Sequence, residues 1–312
     1  GTTSALNGIF GTGPSDIWAA GESGLLLHYD GSAWSKVTSG TPSTFSAVWA
    51  ADTQHAWAVG SGGVIARWDG KAWAVEASGT GQTLLGITGS DAQHLWAVGD
   101  IGITLHRAPG GPWEVLEGLG TQRLNAVTVS DLNVVAVGNG GALWRRPLAG
   151  PARWFDVSFR KADHLCAASR GRTVWVGGAV DNNGFHLYQS TDEVNLKWDP
   201  ENTFGTATLR AVFSATDDEL FAAGDRVILQ RSGGAWKDSY TNATDSFFGL
   251  GGAPGVVFAV GAQGRLLRLQ RGQWDDKPTS GTQNRLYSVL ATDPEGVVVA
   301  GELGTILRYA PR

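Results

Sequence analysis

Apolar and polar positions alternate in short runs along the whole chain, and the runs recur in a fixed order. Asp16-Ile17-Trp18-Ala19-Ala20-Gly21 returns as His55-Ala56-Trp57-Ala58-Val59-Gly60 and as His94-Leu95-Trp96-Ala97-Val98-Gly99. Weaker copies end at Gly138, Gly177, Gly224, Gly261 and Gly301, so the spacings are 39, 39, 39, 39, 47, 37 and 40 residues. Within each period the pattern predicts four strands of about five residues, β-branched and aromatic, separated by Gly, Asp, Ser and Thr clusters. The first, as in Phe45-Ser46-Ala47-Val48-Trp49, has a small third residue: Gly8, Ala47, Gly86, Ala126, Ala167, Ala211, Gly249 and Ser288. The second is the tryptophan-glycine run. The third follows it, as in Gly63-Val64-Ile65-Ala66-Arg67-Trp68, and the fourth opens on Trp34, Trp73, Trp113, Trp154, Trp198, Trp236 or Trp274. No stretch sustains a helical apolar period between caps.

Four strands at a period near 40 specify an all-β chain folded as a β-propeller, one domain over residues 1–312. A four-stranded sheet with two apolar faces cannot bury both alone, whereas sheets set radially bury them against each other. The first three strands appear eight times and the tryptophan-led fourth seven times. Eight blades, the last without its outer strand, is the reading this supports; seven blades is the alternative. A parallel β-helix is disfavoured by the period and by the hairpin punctuation.

The hairpins His28-Tyr29-Asp30-Gly31-Ser32-Ala33-Trp34 and Arg67-Trp68-Asp69-Gly70-Lys71-Ala72-Trp73 resemble the Asp-box (BNR-type) turn of sialidase-like propellers. They also resemble the repeats of the photosystem II assembly-factor-like family. With the tryptophan-glycine strand, the chain resembles tandem-repeat surface and secreted proteins of bacteria, notably myxobacteria. In the Asp-box one residue separates Asp from Gly, whereas here Asp30-Gly31 and Asp69-Gly70 are adjacent. The physical role of the pair is a tight turn.

Composition narrows the function. Aromatics at 10% and hydrophobics at 42% exclude a disordered chain, and the single Cys166 excludes an internal disulfide framework. A net charge of −5 without a basic block argues against nucleic acid. No apolar run is long enough for a membrane helix, so no membrane insertion is expected. Few charges and few lysines suit a secreted or cell-envelope protein, here expected to be a monomer.

Residues present in every repeat serve architecture. Trp18, Trp57, Trp96 and Trp175 are expected between blades, Cys166 as a buried thiol, and Asp52, Asp91, Asp131, Asp217 and Asp293 as caps of the turn after the first strand. Trp49, Trp68 and Trp144 lie outside the repeated tryptophan positions and are candidate stacking surfaces. The loops from second to third and from fourth to first strand share one face. That face collects Glu22, Asp100, Asn139, Asp181, Asp225 and Glu302 just after the glycines, with Arg123, Arg210, Arg285 and Tyr287 at the starts of first strands. These ten are the candidate ligand-binding residues. An acidic arc of this kind attracts a cation or a basic segment, or simply forms a solvated rim.

The long fifth repeat carries Asp181-Asn182-Asn183-Gly184 and Thr191-Asp192-Glu193-Val194-Asn195, oxygen donors suited to Ca²⁺. No other cofactor is implied, and no hydrolase, metalloprotease or paired-cysteine motif occurs. The preferred function is non-catalytic binding of a protein or glycan through one face. The alternatives are a sialidase-like glycoside hydrolase or lyase with Arg210 and Tyr287 in a central pocket, and a structural module of a larger surface protein.

Overall fold

A computed structural model describes residues 2–116, 118–149, 152–158, 162–179, 187–190, 198–200, 207–253, 255–275, 280–291 and 296–309. Its strands are antiparallel throughout, and each repeat runs outward from an inner strand through second and third strands to an outer one. In the first repeat these are Leu6–Gly13, Asp16–Gly21, Leu26–Tyr29 and Trp34–Val37. The fold is the expected all-β propeller.

The repeated glycines have a steric cause. Gly60 has an extended backbone, but a Cβ on it would sit 1.9 Å from the Thr44 carbonyl oxygen. That carbonyl accepts the N–H of Ser61 at 2.9 Å, tying the inner strand to the second-to-third loop. The same collision distance, between 1.8 and 2.1 Å, recurs at Gly21, Gly99, Gly138, Gly178, Gly224, Gly261 and Gly301. The small third residue of the inner strand reflects crowding at the axis: a Cβ on Gly249 would approach the Tyr287 carbonyl at 2.8 Å.

The fifth repeat is registered one residue later than its sequence suggests. Cys166, not Ala167, pairs at the small position, and Gly178, not Gly177, is the anchor. Cys166 is buried, and desolvation pushes its thiol up to about 12.

Eight separate blades are not seen. Among the described residues the hydrogen-bonded strands form seven sheets, five of four strands, one of six and one of three, so the propeller has seven blades rather than eight. The sixth and seventh repeats share the six-stranded sheet because one strand, Ala235–Ala253, is outer strand of the sixth and inner strand of the seventh. At three other links a Ser-Gly-Thr turn breaks the chain between repeats, where Ser39 Oγ donates to the Thr41 carbonyl at 3.0 Å and Ser78 and Ser280 repeat the bond at 3.2 Å. Residues 241–243 read Thr-Asn-Ala instead. There Tyr240 donates to Asp245 at 2.6 Å, and Arg265 donates to both Asp245 (2.9 Å) and the Tyr240 hydroxyl (2.7 Å), holding the strand through the link. The three-stranded sheet, Leu286–Ala291, Val297–Gly301 and Ile306–Tyr309, ends the chain. It packs on the first repeat through Leu6, Ala19, Leu25 and Ala300 and through Ile17, Tyr29 and Val298, closing the ring. Arg308 adds a hydrogen bond to the Tyr29 hydroxyl.

The core lies between blades. Trp18, Trp57, Trp96 and Trp175 are buried as expected. Trp49, Trp68 and Trp144 are half-buried; the Trp49 indole lies over Gly89 of the next inner strand, where a Cβ would come within 2.7 Å of it. Trp49 is therefore a knob seated on the next repeat, and a separate stacking role is not needed to explain it. The Asp-Gly turns form as read: Asp30 accepts the N–H groups of Ser32 (2.8 Å) and Ala33 (2.9 Å), and Gly31 has φ +96°. Those bonds, that from Ala33 foremost, hold the Asp30 carboxyl down to about 2. Asp52 and Asp91 cap their turns through Gln54 (2.8 Å) and Gln93 (2.7 Å). In the fourth and sixth repeats Ser130 and Thr216 accept the capping bonds instead of Asp131 and Asp217. Asp293 lies outside the described residues.

Candidate functional site

Six of the second-to-third loops share one backbone form, a tight turn whose middle residue is left-handed. Ser23, Ile101, Gln263 and Leu303 sit there at φ 56°, 55°, 54° and 51°, and glycines 62 and 140 take the same place. The fold thus imposes a conformation that a β-branched side chain tolerates poorly. Ile101 occupies it nonetheless and is 56% exposed; Leu303 is 63% exposed. Neither side chain is buried in compensation. Both are flanked by an acid and an arginine: Asp100 lies 3.6 Å from Arg123, and Glu302 lies 3.8 Å from Arg285.

The second residue of each inner strand opens on the same face. Where it is asparagine it clamps the ring, as Asn7 donating to the Phe45 carbonyl and Asn125 to that of His164, each at 2.8 Å. From the sixth repeat onward it changes character to Arg210, Phe248 and Tyr287. The Arg210 guanidinium lies 5.9 Å from the Phe248 ring centre, and Phe248 lies 6.0 Å from Tyr287. Asp225 accepts from Arg210 at 3.0 Å, and Glu302 accepts from the Tyr287 hydroxyl at 2.9 Å and from the Arg285 N–H at 3.0 Å. Partial burial, then the Glu302 bond, raises the Tyr287 hydroxyl above its ordinary value; the same bonds lower Glu302, that from Arg285 most. At the end of this arc a 400 Å³ cavity is lined by Thr3, Ala5, Glu22, Tyr287, Glu302 and Leu303.

The expected residues are therefore brought to one face, but in pairs. Arg210 joins Asp225, Arg285 and Tyr287 join Glu302, and Arg123 joins Asp100. Glu22 accepts the Ala5 N–H at 3.1 Å, and Asn139 accepts from Asn125 at 2.7 Å. Among the described residues of the acidic arc, three carboxylates, Asp100, Asp225 and Glu302, face arginines, which reduces its net charge. Asp181, and both oxygen-rich stretches of the fifth repeat, lie outside the described residues. Among the described residues no group of three or more His, Cys, Asp or Glu side chains is placed to hold a metal. Phe248, Ile101 and Leu303 were not singled out by motif. For Ile101 and Leu303 the signal is positional, an aliphatic residue in a turn slot that other repeats fill with Ser23, Gly62, Gly140 or Gln263; Phe248 had no such signal, because its slot also holds Leu85 and Leu165.

Solved structures share the architecture. The structure described as YCF48 bound to D1 peptide aligns with a TM-score of 0.64 at 18% identity, over 86% of this chain and 92% of that one. YCF48 from Cyanidioschyzon merolae aligns with a TM-score of 0.62 at 18% identity, over 99% and 97%. The computationally designed Ika8 protein aligns with a TM-score of 0.83 at 13% identity, over 100% and 98%. No family model matches the chain, and no curated protein matches it. At these identities the likeness is one of fold. It supports a propeller built of repeats.

Proposed function

We propose that the protein is a non-catalytic propeller that binds a polypeptide segment through the face carrying Arg210, Phe248, Tyr287 and Leu303. The observation that carries the reading is the arc itself. Three consecutive repeats place arginine and aromatic side chains in the slot that holds a ring-clamping asparagine in the first and fourth, beside an exposed leucine whose turn gains nothing from it. Aromatic, arginine and exposed aliphatic groups on a rigid frame suit side-chain anchoring of an extended chain. A likeness of fold to YCF48 in a structure with a bound peptide supports the same choice of ligand class. A secreted or envelope setting belongs to this proposal, and the burial of the one thiol is compatible with it.

A hydrolase of the sialidase-like class is less well supported. A tyrosine nucleophile needs a lowered hydroxyl, whereas Tyr287 is raised, and the arginines are paired to different carboxylates rather than gathered on one point. Display selection of random peptides on the intact protein, with a glycan array in parallel, tests the reading. Selected peptides are expected to lose at least tenfold in affinity on Phe248→Ala and on Leu303→Ser. Peptides that bind both variants as tightly as the parent, or binders found only among glycans, contradict it.

A further inference from the structure

We propose that the cleft between the third and fourth repeats, on the face opposite the arc, is a binding site for a small organic carboxylate with an apolar body. The first-to-second turns and the third-to-fourth links open on that face. The cleft measures 400 Å³ and is lined by Asp91, His94, Trp96 and His106 of the third repeat and by Arg146 and Leu148 of the fourth.

The same slot occurs at three successive junctions, and its first two copies are filled and neutralised. In each, a second-strand tryptophan lies opposite a third-strand residue: Trp18 opposite His28, Trp57 opposite Arg67 and Trp96 opposite His106. The next repeat adds one residue from its own third strand. At the first junction this is Trp68, whose ring centre is 5.0 Å from that of Trp18 and 6.4 Å from that of His28. His28 Nε2 there lies 2.8 Å from an Asp16 carboxylate oxygen. At the second junction the added residue is Arg107. The Arg107 and Arg67 guanidiniums stand 5.7 and 5.9 Å from the Trp57 ring centre, and each lies 3.9 Å from Glu76.

Neither neutralising acid has a counterpart at the third junction. Arg146 takes the place of Trp68 and Arg107 in the strand register. His94 stands where Asp16 stands, two residues before the tryptophan, and Leu116 stands where Glu76 stands, three after Trp113. Arg146 is half-buried and donates to the Ala152 carbonyl at 2.5 Å, but it has no carboxylate partner among the described residues. His106 stacks on Trp96, ring centres 5.0 Å apart, and its imidazole has no hydrogen-bond partner among the described residues. Asp91, the acid at the rim, is already engaged: it accepts the Gln93 and His94 N–H groups at 2.7 and 2.9 Å and lies 3.0 Å from His94 Nδ1.

A partly desolvated guanidinium without its anion is costly, and a carboxylate seated on its fork offsets that cost. Burial foremost, then the charges of Arg146 and His94, lowers His106 below its ordinary value; Glu114, opposite it on the outer strand, acts the other way. Near neutral pH the cleft therefore offers one unmatched positive charge, at Arg146, which suits a monoanion better than phosphate. Trp96 and the exposed Leu148 supply an apolar wall for the rest of the ligand. An anion on Arg146 also removes repulsion from His106, so binding draws a proton to that imidazole.

NMR of the six histidines in the intact protein, titrated with phenylacetate, tests this. Saturable shifts are expected at the His94 and His106 imidazoles, with those of His28 and His55 unmoved, and His106 should titrate at higher pH in the bound state. Phenylacetamide, which has the same shape without the charge, should bind at least tenfold more weakly, as should inorganic phosphate. Arg146→Gln should weaken phenylacetate at least tenfold. Absence of a saturable shift at about 10 mM phenylacetate, tenfold above a weak millimolar site, overturns the proposal. So does phenylacetamide or phosphate binding as tightly as phenylacetate, or an Arg146→Gln protein that keeps the parent's affinity. The comparison of acid with amide uses the parent protein alone and decides the matter even where the variant does not fold.

Discussion

The junction between the first and second repeats and the junction between the last and the first are made from the same parts and finished differently. At the former, Trp73 is 6% exposed beneath Val37 and lies edge-on 5.0 Å from Trp18. At the latter, Trp34 takes the place of Trp73 and Val298 that of Trp18, but among the described residues no outer strand lies over them. A blade's face is thus completed by its predecessor's outer strand, so burial in this ring is a property of neighbours. A repeat can match the pattern in every residue and still be half-covered.

The largest expected effect breaks or confirms that contrast directly. Trp73→Ala should destabilise by about 4 kcal/mol, as for a buried aromatic, and Trp34→Ala by about half as much. Denaturant titration of both variants checks this; equal losses would mean that the two junctions are equally packed. Next, Gly60→Ala and Gly301→Ala should cost about 2–3 kcal/mol each and nearly the same as each other. Their collisions, 1.9 and 2.1 Å from a carbonyl, lie inside the repeat and do not depend on a neighbour. A large difference between them in thermal unfolding would show that closure controls the anchor as well. At the junction of the sixth and seventh repeats, Asp245→Ala removes the acceptor of two bonds that hold the strand through its link. A loss of about 2 kcal/mol is expected, with faster exchange at residues 240–246.

The smallest effect concerns pH. Asp30 in the folded protein titrates near 2, below the value of about 3.9 for an unfolded aspartate. Its contribution is complete above about pH 4 and is lost as pH falls through about 2. Asp30→Asn should therefore lower stability slightly at neutral pH and flatten the acid limb of the stability profile. An unchanged acid limb would show that the turn bonds persist in the unfolded chain.

Much of the fold was legible because its main constraints are steric and local. A glycine that meets a carbonyl at 2 Å has no substitute, and an Asp-Gly turn fixes a hairpin from within. The fifth repeat was misread by one residue because Gly177 and Gly178 are adjacent and only strand pairing separates them. The shared sheet was missed because it rests on Tyr240, Asp245 and Arg265, which are up to 25 residues apart. At the candidate site, charged residues following a glycine were easy to find. Their neutralisation by arginines from first strands was not, because each arginine is 15 or more residues from its carboxylate in sequence. Phe248 passed unnoticed as one more apolar strand residue, although its slot holds asparagine in the first and fourth repeats.

Hydrogen exchange on residues 1–312 tests the contrast between the two junctions most directly. The account predicts that the amides of residues 306–309 exchange far faster than those of residues 26–29 and 65–68 in the same sample. Equal protection of the three segments would contradict it.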